Sequence, residues 1–138
     1  MAKITRFGVS LEDELLRKFD KLIRRRKYTK RSEAIRDLIR EALIKEEWRG
    51  KGRVAGVITL VFDHHKRELV NRLTDIQHDY QDMVISAQHI HLDHDNCLEM
   101  IAVRGNPERI SELKNKLRSA KGVKFGSLTM ATTGGGVE

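Results

Sequence analysis

The sequence predicts an α+β chain in two parts, a βαα front half followed by a βαββαβ back half. Three observations predict it. Apolar residues alternate with polar ones over 4–11 and then recur at helical spacing through residue 43. Further on, apolar runs at 54–62, 82–92, 97–104 and 123–129 are separated by amphipathic stretches with helix start and stop signals. Residue types are divided in the same way. Residues 1–50 hold 15 Lys/Arg against 9 Asp/Glu, whereas residues 51–138 hold 12 against 11 and contain all six histidines and the single cysteine. A basic half joined to a half rich in nitrogen and sulfur donors suggests a polyanion binder coupled to a metal sensor.

Residues 4–10 read as a strand, with Phe7, Val9 and Leu11 on one face and Arg6, Gly8 and Ser10 on the other. Ser10 and Asp13 suit a capping box for the helix that follows, whose stripe is Leu11, Leu15, Phe19, Leu22 and Ile23. Thr29 suits the cap of a second helix striped by Ile35, Leu38, Ile39, Ala42 and Leu43. One strand alone leaves its backbone groups unpaired, and residues 1–50 contain no second one. The simplest remedy is a twofold mate whose strand pairs antiparallel with this one. With the hexapeptide Arg31, Ser32, Glu33, Ala34, Ile35, Arg36, this order resembles the ribbon-helix-helix fold. That resemblance implies a two-stranded ribbon in the DNA major groove, with Arg6, Gly8 and Ser10 toward the bases.

The stretch 46–53 breaks the helical period and reads as a linker. The divisions are 1–48 for the DNA-binding half, 49–53 for the linker, 54–131 for the second half and 132–138 for a disordered tail. By its β-branched content, 54–62 is a buried strand. Residues 65–78 form a helix with Leu69, Leu73 and Ile76 inward, and strands at 82–92 and 97–104 follow. Asn106 caps and Pro107 opens a helix carrying Ile110, Leu113 and Leu117, Gly122 stops it, and 123–129 is the last strand. This βαββαβ order is ferredoxin-like. No apolar run approaches the roughly 20 residues needed to span a membrane. One cysteine excludes an internal disulfide framework, and no long apolar segment follows the first residues, so the expectation is a cytoplasmic protein.

Strand alternation puts His89 and His91 on one face, and a tight turn would lay the Cys97 strand beside them. Two imidazoles and a thiolate suit a late first-row divalent metal. The competing reading is a cysteine buried as a small hydrophobe beside two exposed strand histidines. His64, His65 and His94 read as ordinary surface or core residues. A fourth ligand is required, and His78 at the end of the preceding helix is a candidate.

Fused to a ribbon-helix-helix module, Gln77 with His78, His89 with His91, and the run from His94 to Glu99 resemble the nickel-responsive transcriptional regulator (NikR) family over nearly the whole chain. The resemblance implies Ni(II), one per chain, bound in a planar site by His89, His91 and Cys97 with His78 of another chain. It also implies a homotetramer built as a dimer of dimers. Gln77 and Glu99 are candidates for hydrogen bonds to the ligands. Glu33 and Asp37 match an acidic pair that helps form a weaker cation site, although exposed carboxylates pairing with Arg36 or Arg40 explain them equally well.

On the DNA side, Arg6 is the best base reader, because guanidinium can engage guanine O6 and N7 together. Lys30, Arg31 and Ser32 open the second helix, where free N–H groups and a positive dipole favour phosphate. The run 24–27 reads as a solvated helix end. Gly8, matching a threonine in many family members, offers no side chain to a base. The function implied is a nickel-dependent, sequence-specific repressor of nickel uptake genes acting on a split palindromic operator in double-stranded DNA. Alternatives are a copper- or zinc-responsive regulator of the same architecture, or a metal storage or delivery protein with non-specific DNA affinity. Catalysis is not expected, since no nucleophile–base–orienter set is legible.

Overall fold

The computed structural model describes residues 3–138. The chain divides into two compact units, residues 1–40 and 41–138.

In the first unit, residues 3–12 take no helical or paired-strand form within the chain, and Ile4, Phe7 and Val9 are 85%, 71% and 60% exposed. Their expected strand has no partner here, because an isolated strand gains pairing only from a second copy. Helices α1 (Asp13–Arg25) and α2 (Arg31–Arg49) follow. The capping box expected at Ser10 and Asp13 does not form. Helix α1 begins two residues late for it, at Asp13, with Glu12 in the capping position and no side-chain cap bond. Thr29 likewise does not cap α2, which starts at Arg31; its hydroxyl instead donates to the Glu33 carboxylate at 3.4 Å. Among the described residues of this unit, only Ile23 and Ala34 are buried. The apolar faces around them open into a cleft of about 1250 Å³ lined by Phe7, Val9, Leu16, Phe19, Ile35 and Ile39, among others.

The second unit is built on β1 (Val54–Asp63), α3 (Arg67–Asp79), β2 (Val84–His91), β3 (Asn96–Gly105), α4 (Pro107–Ser119) and β4 (Val123–Met130). The four strands form one antiparallel sheet in the order β2-β3-β1-β4. That is the ferredoxin-like arrangement the element order predicts. Alternate residues of β1 and β3 (Ile58, Leu60, Phe62, Ile101 and Val103) are buried together with Leu69, Leu73 and Ile76 of α3 and Ile110, Leu113 and Leu117 of α4. The other face of β1 is half-buried rather than fully covered, so the strand is not sequestered on both sides as its composition suggests. Asn106 caps α4 as expected: its side-chain oxygen accepts from the N–H groups of Glu108 and Arg109. Gly122 takes φ +106°, a conformation that costs a Cβ-bearing residue, and it turns the chain into β4.

The periodicity break at 46–53 misplaced the helix end. Glu46, Glu47 and Trp48 continue α2 to Arg49 because the indole has something to pack on. Its N–H donates to the Ala131 carbonyl at 2.8 Å, and a Cβ on Gly56 would come within 3.2 Å of the ring. Thr132, in the segment expected to be a tail, donates to the Glu47 carboxylate at 3.1 Å, and Val137 is buried.

Candidate functional site

The register of β2 against β3 builds the site. His91 lies opposite Cys97 and His89 opposite Glu99, while Phe62 of β1 flanks Cys97 on the other side. Because alternation is strict along paired strands, these side chains leave the same, helix-bearing face of the sheet. Cys97 is buried. Its Sγ is 3.6 Å from Nδ1 of His89, and the His89 ring stands edge-on to Phe62 at 6.5 Å between centroids.

Glu99 is the buried acidic residue of the described core, 2% exposed. One carboxylate oxygen accepts from Nε2 of Gln77 at 2.8 Å, and the other is in close contact with Nε2 of His89. A carboxylate holding Nε2–H leaves the lone pair on Nδ1, the nitrogen that faces the sulfur. The sequence reading chose Gln77 and Glu99 as supports, and here they form one hydrogen-bonded line from α3 across β3 to β2. Burial pushes the Cys97 thiol above its ordinary value; a backbone hydrogen bond from Ile90 offsets this in part, while the negative charge of Glu99 adds to it. A raised thiol means that a cation entering here must displace a proton.

The donor set fits a borderline-soft divalent ion. Two imidazoles and one sulfur share one sheet face, and the nearest nitrogen and sulfur are held about as far apart as two ligands of one ion. His78 is the penultimate residue of α3 and is exposed. Among the described residues no hydrogen bond ties it to His89, His91 or Cys97.

The structure also brings together histidines that strand alternation did not link. His64 and His65 follow β1, and His94 precedes β3; since β1 and β3 are neighbours, these ends meet. The His64 ring lies 4.7 Å from that of His91 and 4.2 Å from that of His65. The signal was the matched ends of two adjacent antiparallel strands, legible only once their adjacency is known.

In the first unit, Arg6, Gly8 and Ser10 are exposed and alternate along the non-helical segment. Lys30 precedes α2, and Arg31 and Ser32 begin it. Arg31, expected to face a phosphate, is engaged within its own unit. It makes a two-pronged ion pair with Asp20 of α1, Nε to Oδ1 and Nη2 to Oδ2, both 2.9 Å. The pair holds the Asp20 carboxyl below its ordinary range and the guanidinium above its own. Such exposed pairs position more than they stabilise. Asp37 accepts from the Tyr28 hydroxyl at 2.5 Å and from Arg40 at 3.2 Å, the surface pairing that was the alternative to a cation site.

Comparison with known proteins matches both halves. The family model described as "NikR C terminal nickel binding domain" matches residues 55–131, and that of "Ribbon-helix-helix protein, copG family" matches residues 5–46. A protein of Syntrophus aciditrophicus is 58% identical over 134 residues, covering 97% of this chain and 98% of that one. One from Chlorobium limicola is 53% identical (97% and 100%), and one from Thermococcus onnurineus 51% (96% of each). All three are named "Putative nickel-responsive regulator". A solved structure of an uncharacterized Thermotoga maritima protein aligns with TM-score 0.52 at 11% identity, covering 56% of this chain and 96% of that one, a likeness of fold alone. No helix among the described residues is long and apolar enough to cross a membrane. The chain therefore belongs to the NikR family of nickel-responsive regulators, non-enzymatic proteins in which a ribbon-helix-helix DNA-binding domain is joined to a nickel-binding domain.

Proposed function

We propose that this protein is a nickel-dependent, sequence-specific repressor of nickel uptake genes, acting in the cytoplasm as a homotetramer, a dimer of dimers, on a split palindromic operator. The observation that carries the reading is the packing of His89 Nδ1 3.6 Å from Cys97 Sγ, with His91 directly across the ladder from that cysteine. The family resemblance implies one Ni(II) per chain with His78 of another chain as its fourth ligand, and His89, His91 and Cys97 on one sheet face with an exposed His78 are compatible with that. When bound, the ion supplies a cross-link between the sheet edge of one chain and the helix end of another.

The remaining work falls to the chain itself. Glu99 and Gln77 fix the His89 ring so that Nδ1 faces the metal position. Cys97 gives up a proton that burial otherwise retains. The open cleft of the first unit, with Phe7 and Val9 exposed beside it, supports a second copy seated there, its ribbon strand pairing with residues 4–10. That pairing leaves Arg6, Gly8 and Ser10 on the outer face, toward the bases. Lys30, Ser32 and the first N–H groups of α2 meet the phosphates, while Arg31 holds α2 against α1 through Asp20. Residues 1–48 thus read DNA and 54–131 bind metal and assemble, with 49–53 between them. A regulator also requires that metal favour one orientation of the DNA-binding dimers by differential affinity.

The test is operator selection from random duplex DNA, followed by binding at fixed salt with and without Ni(II), for wild type and Cys97→Ser. Nickel-dependent affinity for one palindrome, lost in Cys97→Ser, is expected. Operator affinity indifferent to nickel would end the regulator reading, and salt-sensitive binding without sequence preference would favour storage or delivery.

A further inference from the structure

We propose a second, outer divalent-metal site at the corner where β1 ends and β3 begins, held by His65, His94 and Asp95 of a single chain. One ligand atom from each of these residues lies within 4.8 Å of the others. Nδ1 of His94 is 3.1 Å and Nε2 of His65 3.8 Å from the same Asp95 oxygen. Donors bonded to one ion at about 2.1 Å stand about 3 to 4 Å apart, so these separations already match a shared ion.

The surrounding backbone is tied down on both sides. Asp93 accepts from the N–H groups of Asp95 at 2.9 Å and Asn96 at 2.7 Å. Those bonds, with the Asn96 side chain, hold its carboxyl below the ordinary range. Across the corner, the His64 N–H donates to the Asp95 carbonyl at 3.1 Å, and the His65 N–H donates to the Asp63 side chain at 2.9 Å. Three donors from two adjacent strand ends are therefore presented by a fixed scaffold. Nε2 of His65 also lies 2.9 Å from the His94 carbonyl oxygen. A cation takes the place of that hydrogen bond, and the same oxygen keeps Nε2 of His64 at 2.9 Å.

The chemistry separates this site from the one at Cys97. Two imidazoles and a carboxylate, without a thiolate, form a harder set, and its exposure leaves the other positions to water. It is complete within one chain and so needs no assembly. Its affinity is weaker, because exposed ligands are less preorganised and compete with water. The His64 ring stands between the two sites, in contact with His65 on one side and His91 on the other.

The experiment is a Ni(II) titration of untagged, metal-free, full-length protein, with calorimetry for stoichiometry and absorption for the thiolate-to-nickel band. Wild type is expected to bind about two ions per chain, the second adding no thiolate band. In the His94→Ala/Asp95→Ala variant the second class weakens by about tenfold or more, while the first ion and its band persist. His65→Ala, from the opposite strand end, gives the same loss. Cys97→Ser loses the band and keeps the second class. Saturation of wild type at one ion, or a second class unmoved in both outer-site variants, overturns the proposal. A Cys97→Ser protein that bound nickel exactly as wild type would sink the inner site alone, so the two failures are distinguishable.

Discussion

Glu99→Gln tests the metal centre through its most buried polar group. The side chain is 2% exposed and receives hydrogen bonds from Gln77 and His89. A glutamine of the same shape can keep both. Its carbonyl oxygen accepts from His89, and its amide donates to Gln77 once that amide turns over. Only the negative charge behind the imidazole is lost, so the metal-free fold should melt within a few degrees of wild type. Partners of this kind contribute about 10- to 100-fold in metal affinity, or about 1.4–2.8 kcal/mol. Glu99→Ala goes further. It orphans the half-buried Gln77 amide, at a cost of about 1–3 kcal/mol, while the exposed His89 N–H can turn to water. The assay is competition for Ni(II) against a chelator of known affinity at fixed pH and salt, with thermal melting of the metal-free proteins alongside. If Glu99→Gln bound nickel as tightly as wild type, the inference that Nδ1 of His89 faces the metal with Nε2 held by a carboxylate would be wrong.

Other outcomes follow from the same geometry. Burial holds the Cys97 thiol above 9.0, its ordinary value, so nickel binding near pH 7 should release about one thiol proton per chain, and apparent affinity should rise about tenfold per pH unit from 7 to 9. Calorimetry in buffers of different ionisation enthalpy checks this, and binding without proton release would contradict it. Because burial penalises the thiolate, this group should leave the stability of the folded, metal-free state unchanged below about pH 9 and lower it as pH rises from there through the elevated thiol value. Leu113→Ala, at a side chain with no exposure, should cost about 2–5 kcal/mol in urea unfolding of the metal-free protein. Arg6→Ala should weaken operator binding by about 1–3 kcal/mol while leaving non-specific binding nearly unchanged at the same salt.

Elements whose order follows from local periodicity were legible. The stripe Ile110, Leu113, Leu117 and the Asn106 cap with Pro107 identified α4, since both signals lie within one turn of the residues they govern. The caps read at Ser10 and Thr29 were misplaced for the converse reason: a polar residue near a helix start is necessary for a cap but does not fix which backbone N–H it meets. The early end assigned to α2 failed because Trp48 is held by β1 and the Ala131 carbonyl, groups far away in sequence. Asp20 as the partner of Arg31 was missed in the same way, being eleven residues distant across a turn.

By itself the sequence determined that His89 and His91 share one face of a strand, because side chains alternate with period two, and a short turn offered Cys97 as their neighbour; the register that sets Cys97 opposite His91 came from the structure. It also determined the charge division between the halves and the order of the elements. Only the tertiary structure decided which strands are neighbours. Setting β1 beside β3 brings Phe62 against Cys97 and joins His64 and His65 to His94 and Asp95. Packing α3 on that sheet lets Gln77 reach Glu99, and Glu99 in turn orients His89. Periodicity acts over a few residues and can be read along the chain. Adjacency is chosen by burial of the whole apolar surface at once, so it appears only when the core has closed.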